Sequence, residues 1–149
     1  MARSNVPLSW CRRRAYRRGG ALIEMALVMP VLLAVTMGGI EFGYFFFVKH
    51  NMQAAARDGV RAGVVSGATN TDVTNAVTRV LNAAGLGSSG HTVSITNAQT
   101  DAALNVNTAT AGTPVRVSVS CGWSTVGVRP LGFISSSKQV SGAAVMRKE

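Results

Sequence analysis

Residues 12–30 read RRRAYRRGGALIEMALVMP: a cluster of arginines, two glycines, then an apolar run carrying one carboxylate, Glu24, near its start. From Met25 to Ile40 sixteen consecutive residues carry no charge, and FGYFFFV after Glu41 prolongs the run to Val48, where Lys49 and His50 end it. A bilayer-spanning helix needs about 20 mainly apolar residues. The chain therefore divides into a basic leader (1–19), a transmembrane helix (20–48) and a remainder (49–149) of the size of one small domain. A secretory signal has the same basic-then-apolar order, but its apolar region is only about 7 to 15 residues and ends at a small-residue cleavage site. No A-x-A-like site followed by a polar start precedes Lys49.

Charge fixes the expected orientation. The net charge is +9, and Arg3, Arg12, Arg13, Arg14, Arg17 and Arg18 supply six of those charges before the apolar run. The nearby far flank has only Lys49 and then Arg57 and Arg61, so the positive-inside rule keeps the N-terminus cytoplasmic and sends residues from about Lys49 onward outside. Beyond the leader, nine basic and six acidic side chains remain, with no basic stripe and no basic run interleaved with aromatics. Nucleic-acid binding is not expected.

Two acids interrupt the span. Glu24 and Glu41 are seventeen residues apart, roughly 25 Å along a helix, which puts them near opposite edges of a hydrocarbon core about 30 Å thick. Edge positions avoid the cost of about 2.5 to 3.5 kcal/mol or more that a charge meets at the bilayer centre. Snorkelling toward the headgroups accounts for Glu41. Tyr44 to Phe47 (YFFF) fall where an interfacial aromatic belt belongs, and simple hydrophobic bulk accounts for them equally well. Glu24 calls for more, because it stands at a fixed distance from Gly19-Gly20.

That spacing resembles the class III signal of type IV pilin-like proteins. Arg17 to Gly63, with IEFG at Ile40 to Gly43 and AARDGVRAG at Ala55 to Gly63, is similar to the TadE-like pseudopilins of the tight-adherence (Flp pilus) secretion system; AAVMRKE at the C-terminus adds a weaker match. Met25 stands where an aromatic usually follows the glutamate. The resemblance implies that a prepilin peptidase cuts between Gly19 and Gly20, which makes Glu24 the fifth residue; cutting after Gly20 is the alternative. It also implies that Glu24 pairs with the new N-terminal amine of a neighbouring subunit, since a buried charge is tolerable when paired. The implied partners are the peptidase, inner-membrane platform proteins of the Tad system, sibling pseudopilins and membrane lipid, and the implied location is a bacterial inner membrane.

Further features concern helix packing. Gly39 and Gly43 form a GxxxG, and Gly38 adds a third small residue, so a second backbone has room to approach. Pro30 lacks an amide hydrogen and should kink or loosen the helix unless neighbours satisfy the freed carbonyl. Beyond the span, Val48, Met52, Ala55, Ala56, Gly59, Val60, Ala62 and Gly63 recur at steps of three and four, a small-residue face suited to close packing against a sheet or helix. After the turn-rich SGATNTD, the stripe Val73, Ala76, Val77, Val80, Leu81 and Ala84 predicts a second helix, capped by Asn70 or Thr71 and closed by Gly85.

The C-terminal half changes period. His91–Thr96 and Val115–Cys121 alternate as strands do, the latter with Val115, Val117, Val119 and Cys121 on one face; residues 138–146 are a poorer strand candidate. The polar stretch between the first two predicts a long surface loop. The expected fold is α+β and pilin-like: a long N-terminal helix that leaves the membrane as a stem, and a small extracytoplasmic head with one further helix on a short antiparallel sheet. Three strands alone are marginal, so packing along the stem must support them.

No HxxxH, CxxC, GxSxG or phosphate-binding glycine loop is present, and His50, His91, Asp58, Asp72 and Asp101 are scattered. An enzyme, a cofactor, a metal or a small-molecule substrate is not expected. Cys11 lies in the leader and Cys121 in an external strand, on opposite sides of the membrane, so the two cannot pair within one chain. Cys121 is expected to be a small buried strand residue, with an intermolecular disulfide as the lesser alternative. Two functions follow: a pseudopilin taking part in pilus assembly, or an uncleaved single-pass anchor carrying an extracytoplasmic binding module.

Overall fold

A computed structural model describes residues 16–149, with side chains from residue 19 onward. Arg3, Cys11, Arg12, Arg13 and Arg14 of the expected leader lie outside the described residues, as do the side chains of Arg17 and Arg18. Six elements follow in order: α1 (Tyr16–Val64), α2 (Asn70–Ala83), β1 (Thr92–Asn97), β2 (Pro114–Gly122), α3 (Trp123–Val126) and β3 (Gln139–Arg147). The class is α+β, as the sequence predicts. All three strands are antiparallel in the order β1-β2-β3, and the weak candidate at 138–146 is a full nine-residue strand.

α1 is one helix of 49 residues, about 70 Å long, and it runs unbroken through Pro30. Its two halves live in different surroundings. From Gly19 to Thr36 every side chain is exposed, with Leu22 and Ile23 each 72 % accessible. From Val48 to Val64 the predicted stripe is buried, Ala62 alone being half-buried. This stripe covers the inner face of the sheet, where Val115, Val117, Val119 and Cys121 of β2 lie beside Val140 and Ala144 of β3. The sheet thus gains its second layer from the stem, which answers its marginal size.

Three glycines set how closely the layers approach. A Cβ on Gly59 would stand 2.7 Å from Val77 Cγ2, and one on Gly63 would stand 2.7 Å from Val73 Cγ2. The α1–α2 contact therefore requires hydrogen at both positions. Further toward the N-terminus of α1, a Cβ on Gly142 of β3 would lie 2.6 Å from Gln53 Cα, so this strand lies directly on the helix backbone. There the Gln53 amide acts as a substitute strand: its Nε2 donates to Ala143 O (2.7 Å) and its Oε1 accepts from Ala143 N (3.2 Å). One residue of the β3 edge is thereby paired, which blunts the edge.

α2 differs from expectation at its start. The N-cap is Thr69, in extended conformation, rather than Asn70 or Thr71. Thr69 and Asp72 form a reciprocal capping box: Asp72 N donates to Thr69 Oγ1 (3.3 Å), and Thr69 N donates to Asp72 Oδ2 (2.9 Å). Asn70 has a different task, its Oδ1 accepting from Val106 N at 2.9 Å and pinning the long loop between β1 and β2. The C-terminus closes the fold. Lys148 is buried, and its Nζ donates to Gly63 O (3.4 Å) and Val65 O (3.2 Å) at the carbonyl end of α1, where a cation is favoured by the helix dipole.

Candidate functional site

The exposed half of α1 carries the residues singled out from sequence. Gly19 and Gly20 lie within the helix with nothing within 4 Å of the position of an added Cβ. Glu24 is exposed and stands four residues after Gly20, on the same face one turn along. Gly39 and Gly43 are likewise exposed and open. Gly38 is not: it is buried, with Phe133 Cε2 3.4 Å from where a Cβ would be. Its surface is taken by the chain's own head, which removes it from the expected small-residue face.

Glu41 is the largest departure from expectation. It does not snorkel; it is fully buried and bonded to backbone. Its Oε1 accepts from Ile134 N (2.8 Å), and its Oε2 accepts from Gly132 N (3.1 Å) and Leu131 N (3.4 Å). The donors belong to the segment 127–138 between α3 and β3, and their convergence depends on Gly132, whose φ of +70° is a left-handed value that a side chain disfavours. Successive amides around such a residue form a concave anion site, here filled by the chain's own carboxylate. The acid thus fastens the head to the helix at the point where the exposed half of α1 ends.

Beside this anchor the aromatics divide. Tyr44 and Phe45 are half-buried and pack on Trp123 of α3, with ring centroids 6.0 and 5.3 Å apart, while Phe46 and Phe47 face outward. Trp123 is fully buried, and its Nε1 has no hydrogen-bond partner among the described residues. Neither Trp123 nor the segment 127–138 stood out in the sequence. IEFG in α1 and the glycine of VRPLGF were the available signals, and nothing local connects them.

Elsewhere the side chains offer little chemistry. An open groove of about 790 Å³ between α1 and α2 is lined by Asp58, Arg61 and Arg79 among small and aliphatic residues. Among the described residues, no three His, Cys, Asp or Glu side chains come together as metal ligands. Among the described residues Cys121 is a free, buried thiol, and burial pushes its pKa up. Burial thus favours the neutral thiol over the reactive thiolate.

No curated protein and no solved structure matches the chain. The match that exists covers the helix just described: its exposed half, the Glu41 anchor and most of the stem. Residues 19–61 fit the family model described as TadE-like protein, so over this part of the helix the chain is similar to that family.

Proposed function

We propose that this protein is a pseudopilin, a minor pilin-like subunit that takes part in assembling Flp-type pili or the associated Tad secretion system. The family match over residues 19–61 supports this, because it begins at the glycine pair and includes Glu24. α1 is long and apolar enough to cross a membrane once. The N-terminus faces the cytoplasm, the head lies outside the inner membrane, and a prepilin peptidase removes the leader between Gly19 and Gly20. The role is structural: the chain is a component to be packed, and it is not an enzyme.

Processing would alter the electrostatics of Glu24. In the uncut chain the carboxylate lies within α1, about two turns after Tyr16. After cleavage at Gly20 it stands in or next to the first turn, where the free amides and the helix dipole favour a negative charge. A neighbour's new amine then completes the pair. Gly39 and Gly43, open on the helix surface, provide a second place for a sibling helix to approach. Platform proteins and other pseudopilins are the partners for these faces.

The deciding measurement is the N-terminal mass of the chain after co-expression with its cognate prepilin peptidase. A chain starting at Gly20 is the expected result. Retention of Met1 to Gly19, with the peptidase active on a control substrate, would overturn the proposal in favour of the uncleaved membrane-anchored binding module.

A further inference from the structure

We propose that the segment 127–138 is a lipid-contacting collar that seats the head on the outer surface of the bilayer. Its tip, VRPLGF, exposes Val128, Leu131 and Phe133, the last 64 % accessible, with Arg129 between them. Val128 and Leu131 keep 48 % and 43 % of their surface accessible. They are nevertheless held in place, because Glu41 binds the amides of Leu131, Gly132 and Ile134, and Phe133 lies on Gly38. A solvent-facing turn has no need of such an anchor, nor of three large apolar side chains at its tip.

The position of the tip identifies the occupant. It flanks α1 at Gly38 to Phe42, and on the same level and just above it Phe42 and Phe46 face outward. Ala21 to Ile40 contains twenty residues with Glu24 as its one charge, about 30 Å of helix, which is the thickness of the hydrocarbon core. A span starting at Ala21 therefore ends level with the collar. The apolar tip is continuous with the apolar helix and sits at the water–lipid boundary, where aromatic side chains are favoured. The outer limit of the span then moves from Val48 to about Ile40.

Charge separates lipid from a second copy. The basic side chains on this rim are Arg129, Lys138 and Lys49, all exposed, while among the described residues the nearby acid, Glu41, is buried under the segment. Two collars face to face would set these cations against one another. Lipid phosphates complement them, and long basic side chains readily reach headgroups from an apolar base.

This inference rests on α1 being a membrane span, so one experiment tests both. The full chain is reconstituted in phosphatidylcholine–phosphatidylglycerol vesicles whose acyl chains are brominated at shallow or deep positions. Emission added by Phe133→Trp, Leu131→Trp or Val31→Trp is compared with that of the unsubstituted chain, and the thermal transition verifies that each variant is folded. All three positions are exposed, so tryptophan fits without repacking. The expected result is loss of the added emission at 133 and 131 mainly with shallow bromines, and at 31 mainly with deep ones. Quenching at 31 alone would overturn the collar and leave the span standing. Emission at 133 that escapes bromine and iodide alike, and depends on protein concentration, would assign the tip to a second copy. Quenching at none of the three would overturn both.

Discussion

The carboxylate of Glu41 accepts a 2.8 Å hydrogen bond from the amide of Ile134, ninety-three residues later in the chain. An acid in an apolar helix thus becomes the attachment point of the head. Its burial is acceptable because three backbone N–H groups replace the water that it loses.

Removing that acceptor should loosen the head's lower end. Glu41→Ala leaves three amides without their partner, and the thermal midpoint of the head should fall by about 5 °C or more. Glu41→Gln keeps one acceptor oxygen but turns an NH₂ toward an amide, so its midpoint should fall between those of Ala and the native residue. Thermal unfolding of the full chain in detergent, followed by circular dichroism, gives the order. Equal midpoints for all three would refute the anchor.

The two GxxxG patterns of α1 should respond in opposite ways to alanine. At Gly59 the added methyl meets Val77, with Val73 and Val117 also close. Overpacking of about 1–3 kcal/mol then outweighs a gain in helix propensity of about 1 kcal/mol, and Gly59→Ala should be destabilising. At Gly39 nothing lies within 4 Å, so Gly39→Ala should leave the head's stability unchanged or slightly raised. Denaturant midpoints of the two variants provide the comparison.

The capping box makes α2 sensitive to acid. The Thr69 hydroxyl, and after it the Thr69 amide, hold the Asp72 carboxyl below its ordinary range, against a small opposing effect of desolvation. A depressed folded pKa means that stability is fully present above the unfolded value of about 3.9 and is lost as pH falls through the lower folded value. The gap in thermal midpoint between the native chain and Asp72→Asn should therefore close between pH 5 and the folded pKa. Thr69→Ala, measured at neutral pH, should cost about 1 kcal/mol.

Glu24→Ala tests assembly apart from folding. Glu24 is exposed and touches nothing in the head, so membrane insertion and the head's thermal midpoint should be unchanged. Recovery of complexes with sibling subunits, measured by co-purification from membranes that also hold the peptidase, should drop. Unchanged recovery would assign Glu24 to the headgroups instead of to a neighbour's amine.

Much of the architecture is local and was therefore legible in the sequence. The strict alternation from Val115 to Cys121 defines a half-buried strand, and small residues at steps of three and four from Val48 to Gly63 define the buried face of the stem. The apolar run, Gly19-Gly20 and Glu24 are likewise properties of a continuous segment, which is why a family model fits residues 19–61. Smaller assignments failed where neighbours compete: Asn70 was a plausible cap, but Thr69 supplies it, and Asn70 binds Val106, far along the chain.

What the sequence determined by itself is whatever depends on period and composition: one helix able to span a membrane, a stem with a small-residue face, and alternating strands. What only the tertiary structure decided is the fate of individual polar and glycine residues whose partners are distant. Glu41 looked like an acid at a membrane edge and Gly38 like part of an open packing face, while VRPLGF did not stand out; the fold joins all three in one anchor. Hydrophobic period is written along one element, whereas the partner of a carboxylate is chosen by where a loop some ninety residues later returns to the helix.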